Sequence, residues 1–196
     1  MRVLALAVAV LALGLAGCGS LGCWEQQPPT PGEDVRMGTF TGTQVIDEPG
    51  REHGSSEFVD GWKEGREQLW YANGKPKVDA QWRHGRIAGD YRRWAEDGKL
   101  EAEQVFDGQT GRTTVREWHS NGQLRMSGAR VDGRADGLWQ WWFDDGSKIC
   151  EGHFHADLKE GPWKCWNSDG SLDEASSGIY RNGMRAGPLP GSDLPH

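Results

Sequence analysis

The chain has 196 residues, of which 36% are hydrophobic and 26% charged, and its 22 Lys and Arg against 29 Asp and Glu leave a formal net charge of −7. That length allows one domain or one elongated array. An acidic surface without a basic cluster repels a phosphate backbone and argues against a nucleic-acid partner, and so small an apolar fraction is too little for a thick two-layer core.

Met1 and Arg2 give a short basic start, followed by an apolar run from Val3 to Leu15. About 13 residues is short of the roughly 20 that span a bilayer as a helix, so the run reads as the hydrophobic region of a signal peptide. The next residues, Leu15-Ala16-Gly17-Cys18, resemble the lipobox of bacterial lipoproteins. The resemblance implies a signal peptide over residues 1–17, removed in the mature chain, with Cys18 diacylated as the new N-terminus. Two or three acyl chains, at about 0.8 kcal/mol per buried methylene, hold a protein on a membrane without a spanning helix. The alternative is an ordinary secretory signal in which Cys18 is incidental. Gly19 and Ser20 follow, with no Asp at the next position. By analogy with Gram-negative lipoproteins, this implies the outer membrane, facing the periplasm. Loss of Arg2 leaves 21 basic against 29 acidic side chains, or about −8, a balance that bears on solubility and partners.

Residues 18–57 read as the lipidated cysteine, a linker and a degenerate cap. Pro28, Pro29 and Pro31 make the linker extended and partly stiff. Gly38 to Gly42 reads as a worn first unit, because Gly50 lies 24 residues before Gly74 and Phe58 lies 24 before Trp82. A cap there protects an open sheet edge.

The array proper is placed at residues 58–187. Trp70, Trp94, Trp118, Trp142 and Trp166 recur every 24 residues, each followed four residues later by a glycine: Gly74, Gly98, Gly122, Gly146 and Gly170. Five of the eleven tryptophans occupy this column, which marks it as a repeat core position. A second set keeps the period at Gly61 and Gly65, Gly85 and Gly89, Gly133 and Gly137, with Asp157 and Gly161 as a partial copy. Gln109 and Thr113 break it in the third unit, where Gly108 and Gly111 suggest a different turn, and Gly183 to Gly187 comes two residues late.

Asn-Gly and Asp-Gly between apolar-patterned runs predict type I′ hairpin turns, with positive φ at both central residues. Each unit then has two reversals and two strands. After the tryptophan turn the pattern alternates: Pro76, Val78, Ala80 and Trp82 against Lys77, Asp79, Gln81 and Arg83, and Leu100, Ala102, Gln104 and Phe106 against Glu101, Glu103, Val105 and Asp107. Before the turn, Tyr91, Val115, Trp139 and Trp163 stand three residues ahead of the column tryptophan, a spacing that predicts a bulge or twist. Glycine recurs too often for a stable helix. The predicted fold class is all-β, an elongated antiparallel array of tandem hairpins in a single-layer twisted sheet. Units advance by about 10 Å, so the column tryptophans need Trp82, Phe106 and Phe154 between them to form an aromatic spine. Residues 188–196, with three prolines, are expected to be a disordered tail.

Catalytic patterns are missing from the sequence. There is no Gly-x-Ser-x-Gly, no phosphate-cradling loop and no CxxC pair, and Asp144 and Asp145 belong to a turn. No enzyme activity and no cofactor are expected. His153 and His155, with His119 or an Asp, offer weak metal chemistry on a strand face that is polar in every unit, so no metal is expected. Cys150 and Cys165 flank one turn on neighbouring strands, which leaves open a cross-strand disulfide, two buried thiols, or a register that keeps them apart. Trp139, Trp141 and Trp142 form a candidate binding patch, since adjacent strand residues face opposite ways and one of Trp141 and Trp142 points outward.

The units, with Asp-Gly, a glycine three or four residues on, tryptophan and then Asn-Gly, resemble the MORN-variant repeats of bacterial envelope and antitoxin-labelled proteins over about Phe58 to Gly187. The resemblance implies a hairpin array and the antitoxin label. A lipid anchor fits a cytoplasmic antitoxin poorly, so the expected role is a non-catalytic scaffold in the cell envelope that binds an unidentified envelope protein. The alternatives are an immunity-type protein that neutralises a toxin, and an envelope glycan-binding module using exposed tryptophan rings.

Overall fold

A computed structural model of the chain describes residues 38–47 and 50–190. The signal segment, Cys18, Cys23, the proline-rich linker and residues 191–196 of the tail lie outside the described residues.

Chain order and sheet order coincide, as hairpin repeats require. The first strands are β1 (Gly42–Asp47), β2 (His53–Val59), β3 (Trp62–Trp70), β4 (Pro76–Arg83), β5 (Arg86–Trp94), β6 (Leu100–Asp107) and β7 (Arg112–Trp118). They continue as β8 (Leu124–Val131), β9 (Arg134–Ala135), β10 (Gly137–Trp142), β11 (Lys148–His155), β12 (Leu158–Cys165), β13 (Gly178–Arg181) and β14 (Met184–Gly187). All pair antiparallel with their sequence neighbours, except that both β9 and β10 pair with β8, being one strand interrupted at Asp136. No helix occurs among the described residues. The sheet starts at Gly42, within the stretch read as linker and cap, and Phe40 packs edge-on against Phe58 at 5.9 Å.

The two rows of turns differ, which corrects the prediction of type I′ geometry after each tryptophan. At those turns only the glycine has positive φ, from 79° at Gly74 to 93° at Gly98, and the preceding Asn or Asp does not. Gly74 N–H donates to the Tyr71 carbonyl at 2.9 Å, and Tyr71 N–H to that of Lys75 at 2.9 Å. This is a type I turn closed by a left-handed glycine. The Asx side chain does a different job from the one predicted: Asn73, Asp97, Asn121, Asp145 and Asp169 each accept the N–H two residues on. Both central residues have positive φ in the opposite row, at Asp60-Gly61, His84-Gly85, Asp132-Gly133 and Asn182-Gly183. Ala156-Asp157 adopts the same conformation without a glycine. The third unit does turn differently, with Gly111 N–H donating to the Asp107 carbonyl and the Asp107 carboxylate accepting from Gln109 N–H and Thr110 Oγ1.

The irregularity predicted for the strand before the turn is present in β3, β5 and β12, and a second one sits at the column tryptophan, with its extra residue on the strand after the turn. Register shifts fall at Leu69/Trp70, Arg93/Trp94, Glu117/Trp118 and Trp141/Trp142, leaving Lys77, Glu101, Arg125 and Ile149 as the inserted positions. The strand before the turn is irregular too, on the side of the preceding strand: Glu64 to Gln68, Ile87 to Tyr91 and Glu160 to Lys164 each span four steps against two on the neighbour. Between that bulge and the turn the strand is regular, so residues three apart there face opposite ways. The column tryptophans lie on one face. Glu67, Tyr91, Val115, Trp139 and Trp163 lie on the other.

The second set forms the core, which corrects the assignment of Trp70, Trp94, Trp118, Trp142 and Trp166 as core residues. All five of those rings are only half-buried, whereas Trp139 and Trp163 are 0% exposed. A single layer buries a ring this size by laying it flat over a neighbouring strand that has no side chain there. A Cβ on Gly128 would stand 2.1 Å from the Trp139 ring, and one on Gly152 2.2 Å from the Trp163 ring. Each indole N–H donates to a carbonyl of the strand beneath, Trp139 to Ala129 and Trp163 to His153, both at 3.1 Å. Burying a ring of this size contributes about 4–6 kcal/mol as an upper figure.

Candidate interaction surface

Two faces of different chemistry follow. The packed face carries a column that changes character along the array. In the first unit its residue is Glu67, 3% exposed, with a carboxylate that accepts from Ser56 Oγ at 2.8 Å, Trp82 Nε1 at 2.9 Å and Lys63 Nζ. The Lys63 ammonium also lies over the Trp82 ring at 4.8 Å. Tyr91 and Val115 follow, and the last two units hold aromatic rings in mutual contact. Trp141 stacks on Trp139 at 5.9 Å and lies 6.0 Å from Trp163, while Phe154 meets Trp163 at 4.9 Å and Tyr180 meets it at 6.2 Å. Lys159 covers this end, its amine 4.2 Å from Trp163 and 4.6 Å from Tyr180. Burial lowers its pKa to about 8. Arg130 is also held below its ordinary value by burial, against the pull of Asp157 and Glu117.

The expected spine therefore exists in another form. Phe154 joins it, but Trp82 belongs to the Glu67 network and Phe106 is 42% exposed. At the position 24 residues after Phe106 stands Arg130, which interrupts the proposed column.

Cys150 and Cys165 pair directly in register and form a disulfide, with Cα atoms 4.1 Å apart and both residues buried. The bond locks β11 to β12 beside the aromatic cluster. Cys165 is further held by Ser177, whose Oγ accepts its N–H at 2.9 Å.

The opposite face carries a ladder of paired polar side chains. In register across successive strands run Asp79, Arg92, Glu103, Arg116, Ser127, Gln140, Glu151 and Lys164. Arg66 meets Asp79 at 2.9 Å, Arg92 meets Glu103 at 3.0 Å, Arg116 meets Glu103 at 3.4 Å, and Gln140 donates to Glu151 at 3.1 Å. The Arg66 hydrogen bond holds Asp79 below the usual carboxylate range, and that of Lys148 does the same for Glu151. Half-buried column tryptophans border this ladder at intervals of about 10 Å. Trp70 shows how they are seated, stacked on His53 at 5.6 Å.

The candidate patch of Trp139, Trp141 and Trp142 is divided by this arrangement. Trp139 is fully buried and unavailable to a ligand, a correction to its place in the patch. Trp141 is half-buried in the packed aromatic cluster, and alternation puts Trp142 on the ladder face, with its carbonyl 2.8 Å from His119 Nε2. The three histidines are not brought together: His119 sits in the tryptophan row of turns, whereas His155 lies in the other row, 3.1 Å from Asp136. Among the described residues no group of three or more His, Cys, Asp or Glu is placed to hold a metal ion.

Hydrogen bonds between successive units fasten both rows of turns. Tyr71 Oη donates to the Trp94 carbonyl at 2.7 Å, Asn73 to that of Glu96 at 3.0 Å and Lys99 to that of Ser120 at 2.9 Å. In the other row Gly85 N–H donates to the Lys63 carbonyl and Gly183 N–H to that of Lys159, both at 2.9 Å. Sequence reasoning missed the seats at Gly128 and Gly152. They were findable as glycines outside both turn columns, each eleven residues before a tryptophan.

The MORN repeat variant family model matches residues 63–84, which comprise nearly all of β3, the turn and β4. A search of curated proteins finds no match for the chain. The matched hairpin is the unit that the remainder of the sheet repeats.

Proposed function

We propose that the array is a non-catalytic interaction scaffold, held in the cell envelope by a lipid on Cys18 and recognising a protein through its ladder face. MORN repeats are in general protein- and membrane-interaction modules, and one hairpin of this sheet matches their variant form. The observation that carries the choice of face is the paired ladder from Arg66 to Lys164. It supplies evenly spaced donors and acceptors already held in position, bordered by half-buried tryptophans, so little side-chain order is lost on docking. The lipobox supports the anchor, and the Cys150–Cys165 bond supports an oxidising compartment, where disulfides persist.

The test is crosslinking in living cells with recovery of the lipidated protein, using Cys18→Ala and the ladder pair Arg92→Ala with Arg116→Ala as comparisons. One envelope protein enriched by the parent, and lost with the ladder variant, is the expected result. Enrichment indifferent to the ladder residues refutes the choice of face. Enrichment indifferent to Cys18→Ala refutes the anchor.

A second reading, binding of envelope glycan, is favoured by the regular interval of the column tryptophans, since aromatic rings stack on sugars. It predicts a shift of tryptophan fluorescence with soluble glycan that Trp118→Ala weakens. An antitoxin or immunity role would use the same face, and co-expression that fails to rescue growth from a neighbouring toxin counts against it.

A further inference from the structure

The two ends of the sheet are finished differently. At the C-terminal end β14 is four residues long, its pairing with β13 is bulged, and Pro188 and Pro190 follow it. Arg185 folds back there, donating to the Ser177 carbonyl at 3.0 Å and the Glu174 carbonyl at 3.2 Å. Short length, bulges, proline and positive charge are the means by which proteins keep sheet edges from pairing. At the N-terminal end β1 has none of them. It pairs with β2 over six consecutive positions without a bulge, and Gly42-Thr43-Gln44-Val45-Ile46-Asp47 contains no proline, no lysine and one charge, at its end. Val45 is 68% exposed and Ile46 39%, and among the described residues no strand lies beyond β1.

We infer that the outer edge of β1 is a pairing surface for a second copy of this chain, with the two β1 strands antiparallel about a two-fold axis normal to the sheet and centred on Val45. Every existing pairing in the sheet is antiparallel, so the next strand enters in that sense. A two-fold normal to the sheet pairs residues of the same face, so packed face continues into packed face and ladder face into ladder face. Centred on Val45, the register sets Val45 against its own mate, Gln44 against Ile46, and Thr43 against Asp47. The lone carboxylate thus meets a hydroxyl and not its own copy, which avoids like charges opposite one another. The edge is self-complementary as it stands, whereas a hydrophobic β1 of this kind left open would invite uncontrolled aggregation.

Sedimentation of the full chain, extracted in detergent from the cells that make it, tests the proposal. The chain is expected to be dimeric, Val45→Lys to weaken the dimer at least about tenfold, and an equal mixture of Val45→Lys and Val45→Glu to restore it as a heterodimer. An unchanged far-UV circular dichroism spectrum shows that these exposed substitutions leave the fold intact. A monomeric parent chain overturns the proposal, and if the β1 amides are then protected from exchange at every concentration, a segment from residues 19–37 is the occupant. A dimer that survives Val45→Lys overturns it too, as does failure of the mixture to pair.

Discussion

Gly128→Ala adds one methyl group, and its Cβ falls 2.1 Å from Cδ2 of Trp139, inside a ring that is 0% exposed. Gly128 is not in the left-handed region, so alanine brings no backbone strain, and in a strand it would otherwise be worth about 0.5–1 kcal/mol over glycine. The effect is therefore steric. Either the ring lifts off β8, losing part of its burial and the bond to the Ala129 carbonyl, or the strands shift. Overpacking costs typically 1–3 kcal/mol and complete loss of ring burial about 4–6, so a destabilisation of about 3 kcal/mol is expected. The remedy is the arrangement already used one unit earlier, where Val115 occupies the column. Trp139→Val alone is expected to cost about 3 kcal/mol, and Gly128→Ala added to it almost nothing. Urea unfolding followed by far-UV circular dichroism, with the four proteins in a double-mutant cycle, gives the coupling energy. Stability within about 0.5 kcal/mol of the parent for Gly128→Ala, or additive effects, would refute the account of how this sheet buries its rings.

Reducing the Cys150–Cys165 bond, or replacing both cysteines by alanine, should lower stability by about 3 kcal/mol for a separation of 15 residues, read as a drop in urea midpoint with dithiothreitol. Glu67→Ala should cost about 3 kcal/mol, because Lys63, Ser56 and the Trp82 indole all lose their shared partner, and a thermal melt unchanged by the substitution would contradict the network. For Lys159 the folded pKa of about 8 lies below the ordinary lysine value of 10.5, so between those values the unfolded chain holds the proton that the folded chain has released. Its contribution to stability therefore rises with pH across that window and is least favourable below pH 8. Lys159→Met should gain on the parent at pH 7, and that relative gain should be clearly smaller, though not abolished, at pH 9.5, as seen in urea midpoints at the two values.

Period, strand number and alternation were legible because they depend on spacing alone. Trp70 to Trp166 fixes the unit, and Val78, Ala80 and Trp82 do share a face. Which tryptophan is interior was not legible, because depth in a single layer depends on what lies beneath the ring. Trp139 and Trp163 are buried by Gly128 and Gly152 on the adjoining strand, while equally recurrent Trp142 has no such seat. Turn type was misread for a related reason: Asx-Gly serves both rows, and the left-handed conformation of Asp60 or of Ala156 cannot be told from a dipeptide. Glu67 was hidden because a carboxylate in a strand reads as exposed, and only the convergence of Ser56, Lys63 and Trp82 makes its burial tolerable.

Because strand order follows chain order throughout, tension applied near residue 38 loads the sheet one strand at a time, as a zipper is loaded, and not all its ladders at once in shear. The first rung to open would be β1 on β2, followed by the hairpins around Glu67, which are joined largely by polar contacts. Peeling would then reach the overlapping rings of Trp139, Trp141 and Trp163 and the covalent rung between β11 and β12, which cannot open at all while oxidised. The array is thus graded in mechanical resistance from β1 to β12, compliant where it starts and stiffest at the covalent rung, with the short, bulged hairpin of β13 and β14 beyond that grade.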